Sequence, residues 1–320
     1  MHAVQSMAYA GEVPWHGLGN PLARNQSIDT WAHQAGMDWT INETEVCFIA
    51  GSERRSIKAF PSQKVLYRSD NKLPLSVVSE RYHTVQPREI LEFYRDLTEL
   101  GGFELETAGV LKEGRKFWAL AKTGQAANIK GNDLVQGYLL LATACDGTLA
   151  TTAQFTSIRV VCANTLHVAL KDGSSAVKVP HSTQFDAQAV KKQLGIAISS
   201  WDTFMAQVKA LADCKVSDAQ AKAFLCSIVG VPAIQSQPLP LPVTGERTIK
   251  AIHELYAGDG KGSNLLSAKG TAWGLVNSVT EFVDHHRRAR SADHRLDAAW
   301  FGQGAAIKEK AWEEALSLVA

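Results

Sequence analysis

The apolar residues of this chain follow a strand-like period in the first 180 residues and a helical period after them. In the first part, apolar runs of strand length alternate with turn residues, most clearly where Asp146-Gly147 separates residues 137–144 from 149–155. An Asp-Gly pair between apolar runs is typical of a β-hairpin. From Asp186 onwards, apolar residues recur every three or four positions, which is the repeat of an amphipathic helix. The chain is therefore predicted to have an α+β fold.

The first part of the chain is predicted to contain several strands and one helix. Pro87 suits the first position of that helix, and a glycine pair at 101–102 ends its apolar stripe. Residues 159–170 fit either a helix or a strand, and Asn164 and His167 favour the helix. This order predicts an antiparallel β-sheet with helices packed on it, a β-β-β-α-like core. The predicted strands cover residues 45–49, 56–60, 64–68, 75–78, 103–107, 117–121, 137–144, 149–155 and 176–179.

The second part of the chain is predicted to be mainly helical. A continuous helix is expected over residues 190–211, and Ser217 can cap the next one. Prolines at 232, 238, 240 and 242 predict a stiff, extended linker over residues 231–246. We therefore expect an α+β core module over residues 1–180 and a helical module over residues 181–320. The remaining predicted helices cover residues 247–256, 271–285 and 304–318.

Composition and charge exclude several classes of protein. Lys plus Arg number 33 and Asp plus Glu number 32 among 320 residues, so the chain is not basic overall, although a local basic surface remains compatible with these counts. No apolar run of about 18 residues occurs, so we expect no membrane span, and the first residues lack a secretory signal. The five cysteines are dispersed without a C-x-x-C pair, which predicts reduced thiols and a cytoplasmic location.

Standard catalytic motifs do not occur in the sequence, and we expect no catalytic residue, no metal and no cofactor. His253-Glu254 begins the zinc motif H-E-x-x-H, but residue 257 is Ala. The glycine-rich stretch 258–264 resembles a phosphate-binding loop in composition only, because no strand precedes it. A flexible loop is the alternative interpretation.

A cluster of four arginines lies between His285 and Arg295. Asp284, His285, His286 and His294 are candidate metal ligands there, but adjacent histidines on a helix point about 100° apart and suit one site poorly. Cations are also favoured at the C-terminus of a helix by the backbone dipole. A solvated basic helix end therefore explains the cluster without a ligand.

A stronger basic cluster lies between Arg54 and Lys72, where six cations accompany one acid, Asp70. Strand alternation places several of these cations on one face, beside aromatic residues such as Phe60 and Tyr67. Cations next to stacking rings are how a groove holds single-stranded nucleic acid. A solvated sheet face whose charges discourage edge pairing is the alternative. The predicted nucleic-acid-binding residues are Arg54, Arg55, Lys58, Lys64, Arg68, Arg81, Lys112, Arg115, Lys116 and Arg159.

Five short stretches together resemble the family described as phage/plasmid-related protein, which occurs in phages, prophages and conjugative plasmids. The resemblance runs through nearly the whole chain but transfers no catalytic motif. Its mobile-element setting and the strand–helix order imply distant kinship with phage single-strand annealing proteins. Those proteins share a β-β-β-α core, assemble as rings or filaments, and hold DNA in a basic groove without ATP. The stretches are P-W-H-G-L-G (14–19), Y-H-T-V-Q-P (82–87), V-C-A-N-T-L (161–166), T-A-W-G-L (271–275) and T-E-F-V-D-H (280–285).

Two classes of function follow from these observations. The first is a single-stranded DNA-binding and annealing protein, which works as a homo-oligomer because hairpin sheets expose edges and because the apolar stripe of residues 186–214 can pack between subunits. The second is an enzyme or an accessory factor of a mobile element, with His16, His83 and Asp284 as polar site residues. The simplest member of the second class is a scaffold or regulatory protein that does not anneal DNA.

Overall fold

The computed structural model describes residues 6–11, 19–51, 56–100, 102–159, 161, 164–167, 176–195, 200–230 and 243–319. The chain forms two compact units. Unit 1 consists of residues 1–124, 138–155 and 172–197, and unit 2 consists of residues 125–137, 156–171 and 198–320. Within the described ranges, none of the helices has both the length and the apolar character that crossing a membrane requires.

Strands dominate the first half of the chain and helices the second, which confirms the predicted α+β class. The strands are β1 (Ser6–Ala10), β2 (Asn20–Leu22), β3 (Ile41–Ala50), β4 (Ser56–Arg68), β5 (Pro74–Ser79), β6 (Glu104–Leu111), β7 (Lys116–Asn128), β8 (Leu134–Ala144), β9 (Thr151–Arg159), β10 (Asn164–His167) and β11 (Val177–Val179). The helices are α1 (Ile28–Gln34), α2 (Pro87–Glu92), α3 (Arg95–Leu100), α4 (Ala187–Gly195), α5 (Ser200–Asp213), α6 (Asp218–Val229), α7 (Val243–Glu254), α8 (Ala272–Glu281), α9 (Ala292–Phe301) and α10 (Gln303–Ser317).

Unit 1 contains a large sheet with the strand order β2-β1-β6-β7-β8-β9, and β11 pairs with β9. The pairs β1–β6, β6–β7 and β9–β11 are antiparallel, whereas β1 and β2 are parallel. The sheet is therefore mixed rather than purely antiparallel. Each predicted strand lies in or overlaps one of the observed strands.

The helix predicted from Pro87 is anchored to unit 1 at both of its ends. The Gln86 backbone N–H donates to the Glu89 carboxylate, while the Gln86 side chain accepts from the N–H of Ile41 and donates to its carbonyl. The chain breaks the helix at residues 93–94, giving α2 and α3 in place of one helix. The buried Tyr94 hydroxyl lies within hydrogen-bond distance of the Ala119 and Leu139 carbonyls. This contact holds the break between α2 and α3 against the large sheet of unit 1.

A second sheet of unit 1 consists of β3, β4 and β5, all antiparallel. The turn expected at residues 61–62 is absent, because β4 continues through these residues. The extra residues of β4 make its pairing with β3 irregular, opposite the stretch between Glu45 and Cys47. Near Ile41 and Leu66 the β3–β4 pair is buried. Beyond the irregularity nearly every residue of both strands is exposed. The outer part of the pair is therefore a two-stranded ribbon in contact with solvent on both faces.

Unit 2 is built around α8, all of whose residues are buried. Its N-cap is Thr271, whose hydroxyl accepts from the Gly274 N–H. A side chain at Gly274 would meet the Ala268 carbonyl at 2.0 Å, so only glycine permits this close packing. Helices α5, α7 and α10 contact α8, and the Phe204 ring of α5 stacks on Trp312 of α10. A continuous helical core results.

Three predictions of local structure are wrong in the second half of the chain. Residues 164–167 form a strand, β10, because they pair with the end of β9. In place of one continuous helix over 190–211 there are two separate helices, α4 in unit 1 and α5 in unit 2, and residues 196–199 between them lie outside the described ranges. Residues 243–246, assigned to the linker, belong to α7, and α9 was not predicted. Residues 231–242 lie outside the described ranges.

The apolar stripe expected to pack between subunits is buried in the single chain. Val190 and Leu194 on α4 are buried, as are Trp201, Met205 and Val208 on α5. Among the described residues of α4 and α5, these members of the stripe are therefore not available to a second copy. The division into an α+β module over residues 1–180 and a helical module over residues 181–320 stays a prediction.

Candidate functional site

The exposed end of the β3–β4 pair carries aromatic rings beside a cation. Phe48 lies directly opposite Lys58 across the two strands, and Phe60 follows Lys58 at i+2. Directly paired residues share a face of a sheet, so Phe48 and Lys58 do. Phe60 is the first residue of the run 60–63 of β4, which has no directly paired residue in β3. Phe48 is 48% exposed and Phe60 is 44% exposed. We call Phe48, Lys58 and Phe60 the aromatic face of the ribbon.

The opposite face of the ribbon is aliphatic. Ile49 pairs with Ile57, and Cys47 pairs with Ala59. Ile49 is 64% exposed and Ile57 is 74% exposed. Large apolar side chains exposed together on a folded protein usually mark a surface that binds something.

The inner part of the β3–β4 pair is acidic, in contrast to the predicted cationic face. A cavity of about 320 Å³ beside the register irregularity is lined by Glu43, Glu45, Glu80 and Lys64, and Phe60 of the aromatic face lies at its border. The Lys64 ammonium lies 2.8 Å from the Glu43 carboxylate. Lys64 therefore neutralises a neighbouring acid, and this part of the sheet does not favour phosphate.

Arg68 serves the interior of unit 1 rather than a solvent-facing surface. Its guanidinium donates two hydrogen bonds to the Asp70 carboxylate and lies 4.0 Å from the centre of the Trp39 ring. The hydrogen bonds from Arg68 lower the pKa of Asp70 below its ordinary value. Arg68 is buried, so it is not placed to contact DNA.

The other predicted cations are dispersed over the chain. Arg81 is exposed, Lys112 and Arg115 are half-buried, and Lys116 is buried at the start of β7. Arg54 and Arg55 lie outside the described residues. In the ribbon, Lys58 thus lies near two aromatic residues. That the predicted cations bind nucleic acid together stays a prediction, and only for those that are exposed.

Arg159 is the centre of a buried polar network in unit 2. Its guanidinium donates from Nε and Nη2 to the two oxygens of Asp133, at 2.7 and 2.9 Å. The same carboxylate accepts from the Ser267 hydroxyl and from the Trp273 indole N–H. Arg159 also donates to the Gly262 carbonyl. Asp133 is completely buried, so Arg159 is committed to the interior.

A second buried ion pair in unit 2 holds the residue that was a candidate for catalysis. The Lys308 ammonium lies 2.8 Å from the Asp284 carboxylate and donates to the Thr165 hydroxyl. The other carboxylate oxygen of Asp284 accepts from the backbone N–H and the hydroxyl of Thr165. All three residues are buried. Asp284 is therefore placed as a structural residue that joins β10 to α10.

The remaining candidates are two histidines and the glycine-rich loop. His83 is exposed in unit 1, and its backbone N–H donates to the His181 carbonyl; His16 lies outside the described residues. In the 258–264 loop the Lys261 N–H donates to the Glu281 carboxylate, where a phosphate-binding loop would keep the N–H free. Over the described ranges, no group of three or more His, Cys, Asp and Glu residues is placed to hold a metal ion.

Comparison with known proteins identifies a family. Residues 74–300 match the family model described as a domain of unknown function, DUF932. The chain belongs to this family. Comparisons with curated proteins and with solved structures give no match. The DUF932 match contains most of unit 2, including Asp133 and Arg159, whereas the ribbon of β3 and β4 lies before it.

Several stretches quoted above for the resemblance have structural functions in the DUF932 region. The Tyr82 hydroxyl donates to the Ala144 carbonyl, and the Asn164 amide donates to the Asn277 carbonyl. Trp273 binds Asp133. Asp133 and Ser267 were missed by sequence reasoning. The sequence did contain one signal for a buried polar network. Polar residues occur inside the otherwise apolar helix predicted over residues 271–285, and buried polar groups require partners.

We expect the Asp133–Arg159 pair to be essential for the stability of unit 2. Asp133→Asn leaves the Arg159 charge buried without its counterion, which should lower the free energy of unfolding by about 3–5 kcal/mol. Urea denaturation followed by Trp fluorescence measures this loss. Asp218→Asn is the matched control, because its exposed pair with Lys222 should contribute little. Equal small losses in both variants would contradict a structural role for the buried pair.

Proposed function

We propose that this protein binds single-stranded DNA through the aromatic face of the ribbon. The observation that carries the proposal is the arrangement of Phe48, Lys58 and Phe60, two exposed rings near a cation. Bases stack on such rings without regard to sequence, and the cation neutralises a phosphate. The work of the protein would be to hold a strand with its base edges free, so that a complementary strand can anneal without ATP.

The charge distribution along the ribbon supports a site at its outer end. Lys58 is exposed there, and Arg54 and Arg55 are within four residues of it in sequence. At the inner end, Glu43 and Glu45 repel phosphate. We therefore propose that the DNA strand crosses only the outer part of the ribbon. This path is shorter than one along all ten predicted cations.

Replacing both rings of the aromatic face should weaken DNA binding. Phe48→Ala with Phe60→Ala removes two stacking platforms, each worth about 1–3 kcal/mol per stacked base. Fluorescence anisotropy with a labelled oligo-dT at low salt measures the affinity. Ile49→Ala with Ile57→Ala is the matched control, since it removes two exposed apolar residues from the opposite face of the same ribbon.

Both double variants should fold, because all four side chains are largely exposed, and circular dichroism checks this. The aromatic variant should lose affinity and the aliphatic variant should keep it. Equal affinity in the two variants would contradict stacking on the aromatic face. Wild-type protein that fails to bind oligo-dT at low salt would leave the accessory or regulatory role as the better proposal.

The salt dependence of binding isolates the contribution of Lys58. A cation that contacts one phosphate of a single strand contributes about −0.7 to the slope of log K against log salt. Lys58→Gln should therefore make the slope shallower by about 0.7, equally for all base sequences, because phosphate contacts carry no sequence information. Lys192→Gln, an exposed cation on α4, should leave the slope unchanged. An unaltered slope in Lys58→Gln would remove this residue from the interface.

We further propose that the protein is encoded by a phage, prophage or plasmid, acts in the cytoplasm and self-associates. The stretches that resemble phage/plasmid-related proteins support the first point. The outer edge of β3, which pairs with no strand in the described part of the chain, supports self-association. Light scattering at micromolar concentration, with and without oligo-dT, measures the mass. A monomer under both conditions would contradict the assembly of rings or filaments.

A further inference from the structure

The arginine cluster of residues 287–295 surrounds a cavity in unit 2. The cavity has a volume of about 210 Å³. It lies where the chain leaves the π-helical turn Phe282–His286 and enters α9. The cations that line it are Arg287, Arg288, Arg290 and Arg295, with His294.

The described side chains that line this cavity include four arginines and no carboxylate. The side chain of Asp293 in the same stretch lies outside the described residues. Arg288 and Arg290 are exposed and take part in no ion pair within the described part of the chain. Four guanidinium groups at one cavity repel one another, and an anion relieves this repulsion.

Two of the arginines are held in place by unit 2. The Arg287 guanidinium donates to the Gln303 side chain, and Arg295 donates to the His285 carbonyl. The Arg295 Nε is buried and has no hydrogen-bond partner in the described ranges. Fixed guanidinium groups bind phosphate oxygens well, because their planar donor fork matches two oxygens at once.

The remaining wall of the cavity is small and apolar. Val283, Ala298, Ala299 and Gly304 line it, and a side chain at Gly304 would lie 2.8 Å from a Val283 methyl group. The volume is below the range of about 300–1,000 Å³ that is usual for drug-sized ligands. The cavity therefore suits a compact anion, or one end of a larger molecule.

We propose that this cavity binds a compact phosphate group, either as a free phosphate or pyrophosphate anion or as the terminal phosphate of a DNA strand. The arginines supply the charge and the hydrogen bonds, and the small apolar wall limits the size of the ligand. This site is separate from the aromatic face of the ribbon, and it stands whether or not the ribbon binds DNA.

Calorimetry of the full-length protein with pyrophosphate tests the proposal. Arg288→Gln with Arg290→Gln removes two exposed charges and should leave the fold intact. It should weaken pyrophosphate binding by at least about tenfold, since charge-assisted hydrogen bonds are lost. Lys209→Gln with Lys250→Gln is the matched control, because it removes the same charge from exposed positions of unit 2 that do not line the cavity.

The proposal is supported if the wild type binds one pyrophosphate per chain, the arginine variant loses this binding and the lysine variant keeps it. Equal losses in both variants, or no binding by the wild type, would overturn it. The Phe48→Ala/Phe60→Ala variant should bind pyrophosphate normally, and loss of binding there would also overturn the site. Competition by a 5′-phosphorylated oligonucleotide but not by its 5′-hydroxyl form supports the strand-end ligand, and competition by neither supports the free anion. Equal competition by both would overturn the proposal, because internal phosphates would then fill the cavity.

Discussion

In unit 2, the buried ion pair between Asp133 and Arg159 joins segments that are far apart in sequence. Asp133 comes directly before β8, and Arg159 ends β9. Through Ser267 and Trp273, the same carboxylate is bound to the start of α8. A completely buried carboxylate is tolerable only when charge and hydrogen bonds compensate for its lost hydration. The position of α8, and of the helices packed on it, therefore depends on this pair.

The ribbon of β3 and β4 differs from this buried network, because much of it is exposed to solvent. Its inner end is held by burial of Ile41 and Leu66, whereas its outer end has no core to fill, and its apolar residues face solvent. Large apolar patches on a protein surface often mark interaction sites. Unit 2 thus contains a buried polar network, whereas unit 1 contains an apolar surface exposed to solvent. Sequence similarity to the DUF932 family covers the first and not the second.

Strand positions were predictable because the alternation of apolar residues and the turn dipeptides are local signals. The starts of α2 and α6 were predictable for the same reason, from Pro87 at the first helical position and from Ser217 as the N-cap. Two failures have one cause. Residues 164–167 look helical alone, but Thr165 contacts Asp284 and the segment pairs with β9. Arg159 looks like a surface cation until Asp133 is placed beside it. Contacts with distant residues decided both positions.

The sequence by itself determined the α+β class, the change from strands to helices and the cation-rich stretch around residues 54–72. These properties follow from composition and from periods of two and 3.6 residues, which need no tertiary partner. Only the tertiary structure decided which cations remain free. Lys58 stays exposed opposite Phe48, and Arg159 is drawn into a buried ion pair. Arg68 is buried and pairs with the exposed Asp70, and the arginines of residues 287–295 gather around a cavity. Whether a charge faces water or a counterion depends on the residues that folding brings beside it, and many of these lie far away in sequence.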